Sequence, residues 1–161
     1  MRLVTFRDDK GTRVGALDEA GRVLDLVAAD PALPRDMLGL IGSGALGAAQ
    51  AAEAAAPVVE GATILAPIPR PTKNIFCVGK NYHEHAKEFA SSGFDATAKE
   101  VVPEAPVVFS KPPTSVIGPH DEIPSFLDTS NSTDYEGEIA VVIGKGGRGI
   151  SEADAYAHIF G

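Results

Sequence analysis

Asp134-Tyr135-Glu136-Gly137-Glu138-Ile139-Ala140-Val141-Val142-Ile143 opens with acids and closes on an unbroken aliphatic run ending at Gly144. Rich in β-branched residues and bounded by glycine, Glu138 to Gly144 is the strongest strand candidate in the chain. With side chains alternating along a strand, Glu136 and Glu138 share one face, their Cα atoms roughly 6.5–7 Å apart. Tyr135, Gly137 and Ile139 take the other face. Two neighbouring carboxylates are costly to bury because like charges repel and both lose hydration. Two readings stay open at this point. The pair holds a hard divalent cation such as Mg²⁺, Mn²⁺ or Ca²⁺, whose charge cancels that cost, or it marks a solvated strand end carrying two acids.

The surrounding chain of 161 residues is long enough for one domain, or one domain and part of another. Apolar residues make up 44% and charged residues 22%, which supports a buried core and excludes a disordered composition. A net charge of −8, acidic on both sides of residue 66, argues against non-specific nucleic-acid binding and against docking on anionic lipid. A single cysteine, Cys77, excludes an internal disulfide framework and a cysteine-based zinc cluster, and it suits a reducing compartment. No apolar run reaches transmembrane length, and the opening MRLVTFRDDKGTR lacks the apolar stretch of a signal peptide. These features predict a soluble, cytoplasmic protein.

Before Ala66, three short apolar runs, Leu3–Phe6, Arg13–Leu17 and Arg22–Leu26, are separated by the turn-forming stretches DDKG and DEAG. They predict a three-stranded meander. Asp36–Ile41 and Ala45–Ala56 favour helix, so residues 1–66 read as a small domain of meander plus helices, serving as scaffold. Alternating prolines in Ala66-Pro67-Ile68-Pro69-Arg70-Pro71 mark the boundary, since proline neither continues a helix nor donates to a central ladder. From residue 67 onward a second domain is expected. Its elements are a buried strand over Asn74–Gly79, a short helix over Tyr82–Ser91 and a polar loop over 92–105. Short strands at Pro106–Phe109 and Ser115–Ile117 follow, with a helix opening at Ser151. There Ser151 is the N-cap and Asp154 takes the capping-box position. The fold class is α+β, mostly β.

His85 and Glu88, three residues apart, share a face of the predicted helix. A carboxylate beside imidazole raises its basicity and fixes its tautomer, as a general base requires; an exposed helix carrying His and Glu at helical spacing is the plainer reading. His83-Glu84-His85 is not the HExxH zinc signature. Gly144-Lys145-Gly146-Gly147-Arg148-Gly149 matches GxGxxG, but the following helix is capped at Ser151, after the last glycine, whereas a dinucleotide fingerprint starts its helix within the motif. A glycine turn is the better account. Cys77 reads as a small core hydrophobe, His158 as an ordinary helix residue, and Asn131-Ser132-Thr133 as a sequon without a secretion signal. Lys111, between Phe109 and Pro112, is either an anchor for an anionic substrate or surface charge.

Taken in order, Phe76-Cys77-Val78-Gly79-Lys80-Asn81-Tyr82 with His85 and Glu88, then Pro106-Val107-Val108-Phe109-Ser110-Lys111-Pro112, then Asp134–Gly144, then Ser151–Gly161, resemble the fumarylacetoacetate hydrolase family. The likeness covers about residues 66–161. It implies a mixed β-roll catalytic domain over 67–161 and an enzyme dependent on Mg²⁺ or Mn²⁺, with Ca²⁺ an occupant in crystals. The implied substrates are 2-oxo or 2,4-dioxo acids, as in aromatic catabolism, and the reactions C–C bond hydrolysis, oxo-acid decarboxylation or enol–keto isomerisation. By the same resemblance Glu136 and Glu138 are metal ligands, His85 is the base with Glu88 orienting it or its water, and Lys111 lies near the substrate. The loop 92–105 would suit a lid. A homodimer is implied, with no nucleic-acid or membrane partner. The resemblance also places a third ligand, an Asp, on the strand after Gly161, so the 161 residues read as the N-terminal portion of a longer enzyme. The competing expectation is a non-catalytic fragment that depends on a partner chain.

Overall fold

A computed structural model describes residues 1–84, 86–87 and 104–161. They form an α+β structure that divides into two compact units, Met1–Pro69 with Ile117–Gly161, and Arg70–Val116.

In the first unit the expected meander forms as β1 (Arg2–Asp8), β2 (Gly11–Leu17) and β3 (Val23–Leu24). A strand not foreseen in the sequence, β4 (Thr63–Ile64), pairs antiparallel with β1, giving the sheet order β3-β2-β1-β4. Period-two alternation sorts the side chains. Val14 and Ala16 of β2 face a cluster with Leu26, Val27, Leu33, Met37, Leu40, Ala49 and Ala52 from α1 (Leu26–Ala29), α2 (Met37–Ser43), α3 (Leu46–Glu53) and their links. Val4 and Phe6 of β1 pack with Val23 in a second cluster.

Each of the first two helices begins on an aspartate. Asp25 Oδ1 accepts from Ala28 N at 2.9 Å and Asp36 Oδ1 from Gly39 N at 2.8 Å, satisfying donors that have no partner inside the helix. Gly44, with φ 68°, ends α2 in the left-handed conformation that glycine adopts without cost. The proline-rich stretch is tied back to β1, because Thr5 donates its hydroxyl to Pro67 O at 2.6 Å.

Residues 117–161 of this unit depart from the sequence expectation. Glu138–Gly144 does not form a named strand. Among the described residues its main-chain bonds join Val142 and Gly144 to the chain's last residues: Val142 N to Gly161 O (2.7 Å), Phe160 N to Val142 O (2.8 Å) and Gly144 N to His158 O (2.9 Å). Ile139 stays 81% exposed. High β-propensity describes how a side chain fits a pleated surface, and it makes a strand only where a partner backbone lies alongside. The helix expected after Ser151 is present as a 3₁₀ segment, Glu152–His158. The Ser151 hydroxyl accepts from Asp154 N (3.3 Å) and donates to Asp154 Oδ2 (2.6 Å), fulfilling the predicted cap.

In the second unit β5 (Ile75–Gly79) and β6 (Val107–Lys111) form an antiparallel pair, from Ile75 opposite Lys111 to Gly79 opposite Val107. Both strands were expected, but β5 is not buried: Phe76 is 75% exposed and Cys77 is half-buried. The strand expected at Ser115–Ile117 is replaced by a 3₁₀ turn, Pro113–Ser115. Pro113 lacks the donor a ladder needs and carries the φ that suits a first helical position.

Candidate functional site

Glu136 and Glu138 lie in the first unit on a segment without assigned secondary structure, both exposed to solvent and separated by Gly137. As a donor set they offer hard carboxylate oxygens, the type that Mg²⁺ and Mn²⁺ take, and none of the soft sulfur that would select other metals. The residues present therefore fit a hard divalent cation. Among the described residues no group of three or more His, Cys, Asp or Glu is gathered about one point.

The segment is held at both ends. On its far side, Val142 is bonded to Phe160 and Gly161 as described above. On its near side stands a closed loop around Asp128, which ends the 3₁₀ turn Ser125–Leu127 by donating its amide to Ser125 O at 3.0 Å. The Asp128 carboxylate accepts from Ser130 N (2.9 Å) and the Ser130 hydroxyl on Oδ1, and from Ser132 N (2.7 Å), Thr133 N (2.7 Å) and the Thr133 hydroxyl (2.8 Å) on Oδ2. These donors hold its pKa well below the ordinary carboxylate range. Asn131 takes φ 54° within the loop, a left-handed conformation that Asn tolerates better than most residues. Sequence reading noticed Asn131-Ser132-Thr133 only as a sequon. The signal it passed over was local: an Asp followed at two, four and five residues by hydroxyl side chains, the chemistry of Asx and Ser/Thr turns.

The glycine-rich stretch behaves as a turn. Gly144 N and Lys145 N both donate to His158 O, at 2.9 and 3.2 Å, and His158 Nδ1 donates to Lys145 O at 2.7 Å. The first amides of the GxGxxG pattern are thus committed to the chain's own carbonyl, and the 3₁₀ segment begins only at Glu152. His158 is therefore the tether of that turn. A Cβ on Gly147 would stand 2.9 Å from the Ile150 side chain and 3.2 Å from His158 Cε1, so that position is closely packed.

Lys111, in the second unit, is exposed at the end of β6 directly before Pro112-Pro113. His85 and Glu88 lie outside the described residues, as does loop 92–103. Near them, Tyr82 O accepts from Ala86 N at 2.9 Å, one helical turn, and Lys87 pairs with Glu84 at 2.9 Å.

Comparison with known proteins bears on the same stretch. Residues 74–161 match the family described as fumarylacetoacetate (FAA) hydrolase, C-terminal. The chain is similar to the oxaloacetate tautomerase YisK of Bacillus subtilis, 50% identical over 96 residues that make up 60% of this chain and 30% of that protein. It is 40% identical, over 100% of its length and 50% of the relative's, to the human mitochondrial oxaloacetate tautomerase FAHD2A. Among solved structures, the fumarylacetoacetate hydrolase of Exiguobacterium antarcticum superposes with a TM-score of 0.73 at 32% identity, covering 100% of this chain and 53% of that one. The chain spans about half the length of the relatives that it matches from end to end.

Proposed function

The chain belongs to the fumarylacetoacetate hydrolase family, and from that premise we propose that it is part of a divalent-metal-dependent enzyme that interconverts the enol and keto forms of a short 2-oxo acid. The family acts on oxo acids, and the two relatives named above are oxaloacetate tautomerases, which favours isomerisation over C–C hydrolysis and decarboxylation. The observation that carries the reading is the Glu136-Gly137-Glu138 pair, solvent-exposed within the family-matched stretch.

Tautomerisation moves one proton between the carbon beside a carbonyl and the carbonyl oxygen, with no oxidant or reductant. Glu136 and Glu138 would hold Mg²⁺ or Mn²⁺, which when bound supplies electrophilic stabilisation of enolate charge. His85, oriented by Glu88, would take the proton from carbon and return it. Lys111 would meet a substrate carboxylate through its ammonium group. Residues 1–66 would serve as scaffold and 67–161 as the catalytic part. We attach a cytoplasmic location to the reading. Among the described residues no helix is long and apolar enough to cross a membrane.

Titration calorimetry with Mn²⁺ tests it directly. Binding that is lost in Glu136→Gln and Glu138→Gln, together with metal-dependent loss of enol absorbance from oxaloacetate, is the expected result. Binding that survives both substitutions would refute the metal assignment.

Association with a second copy of the chain is part of the same reading. A homodimer by light scattering is the expected state.

A further inference from the structure

We propose that residues 158–161 act as a strap, pinned by the Phe160 side chain on the helix-side core of residues 1–66, so that the order of residues 142–145 depends on that core.

The strap is engaged through its main chain and through one aromatic side chain. Val142 N donates to Gly161 O at 2.7 Å, Phe160 N donates to Val142 O at 2.8 Å, and His158 O accepts from Gly144 N and Lys145 N at 2.9 and 3.2 Å. Ile143 and Ile159 stand opposite each other in an antiparallel bridge. The His158 ring fastens the same turn by its bond to Lys145 O. Phe160, half-buried, packs against the cluster that contains Val14, Leu26, Met37 and Leu40. The residues that lead into the strap, Glu152–Ala157, are all exposed.

Gly144, the first glycine of the GxGxxG pattern, sits where the strap passes closest. A Cβ added there would stand 3.1 Å from Phe160 Cβ and 3.6 Å from its Cα. A glycine at this place lets the two backbones approach, a role that needs no nucleotide.

Paired backbone of this length is marginal in water by itself. Burial of an aromatic ring on a core that is already formed supplies what the few main-chain bonds lack. The ladder and its pin therefore make a small cooperative unit that opens below the cost of global unfolding. The dependence is reciprocal, because a coupling between two parts of one chain acts in both directions. It also crosses the boundary that the prolines of 67–71 mark in the sequence, since residues 117–161 fall in one compact unit with Met1–Pro69.

The test is residue-resolved amide hydrogen exchange on the full chain, native and in four variants: Phe160→Ala, Phe160→Leu, Leu40→Ala and Val23→Ala. Phe160→Ala removes the pin and should speed exchange at Val142, Gly144, Lys145 and Phe160 by about tenfold or more, with the amides of β1 and β2 close to native. Phe160→Leu keeps an apolar side chain and should restore most of the protection; it serves if Phe160→Ala does not fold. Leu40→Ala opens the cluster on which Phe160 rests, and it should speed the same strap amides along with those of the core. Val23→Ala opens the other cluster, packed by Leu17, Val59, Ala62 and Ile64, and should leave the strap at its native rates. Native exchange at Val142 and Gly144 in both Phe160 variants would overturn the strap. So would Leu40→Ala loosening the core alone, or Phe160→Ala speeding every amide of residues 1–66 as much as those of the strap.

Discussion

Arg13 Nε donates to Asp25 Oδ2 at 2.8 Å, joining a strand to the cap of the next helix with both residues buried. The same guanidinium forks onto Asp8, at 2.6 Å to Oδ1 and 2.8 Å to Oδ2, and lies 4.5 Å over the Phe6 ring centre. Breaking a buried pair leaves the surviving charge desolvated and unpaired. Arg13→Ala should therefore destabilise the unit by about 3–5 kcal/mol, measured by urea unfolding. Asp25→Ala should cost a similar amount because it also removes the α1 cap. The double variant should cost less than the two singles added together, since both remove one network.

Acid should loosen the same network. The Arg13 guanidinium beside Asp8 holds that carboxyl at about 2, against an ordinary 3.8. Between these values the unfolded chain binds more protons than the folded one, so stability rises with pH across the window. The contribution is fully present above about pH 4 and is lost as pH falls toward 2. Asp8→Asn should flatten the dependence of the thermal midpoint on pH between 4 and 2 relative to the native chain. An unchanged slope would mean that other carboxylates carry the acid sensitivity.

Gly15 is required by space. An added Cβ would stand 2.5 Å from Leu24 O and 2.8 Å from Phe6 Cε1, and the carbonyl belongs to a paired strand. Gly15→Ala should cost about 1–3 kcal/mol through forced repacking. Gly42, inside α2, meets nothing within 4 Å, so Gly42→Ala should raise stability by about 0.5–1 kcal/mol. Opposite shifts in the thermal midpoint check both.

These contrasts mark what the chain's letters disclose. The meander was legible because Val14, Ala16 and the Leu3–Phe6 run alternate within a few residues of DDKG and DEAG turns. The helix caps at Asp36 and Ser151 were legible for the same local reason. Burial of Arg13 was not, because an arginine is ordinarily exposed and its partner Asp25 stands twelve residues away. The β4 pairing was hidden too, two residues meeting a strand more than fifty positions earlier. Glu136 and Glu138 stood out as a pair by spacing alone, yet the strand that spacing presumed is not formed, since its partners are a matter of tertiary context. The Asp128 loop was local and readable, but its hydroxyl pattern was passed over, and Asn131-Ser132-Thr133 was noted only as a sequon without a secretion signal.

His85 supplies the last test, because it separates proton transfer from metal binding. In the proposed mechanism the imidazole moves a proton, whereas Glu136 and Glu138 hold the cation. His85→Ala should then lower turnover of the enol by about 10²–10⁴-fold, the usual contribution of a positioned base, while Mn²⁺ affinity stays close to native. Glu88→Gln should act in the same direction more weakly, since it removes the charge that supports the imidazole and keeps a hydrogen-bonding group. Turnover in His85→Ala equal to native would remove that residue from the chemistry and shift the search for the base to another side chain. A parallel loss of Mn²⁺ binding would instead make His85 part of the metal centre.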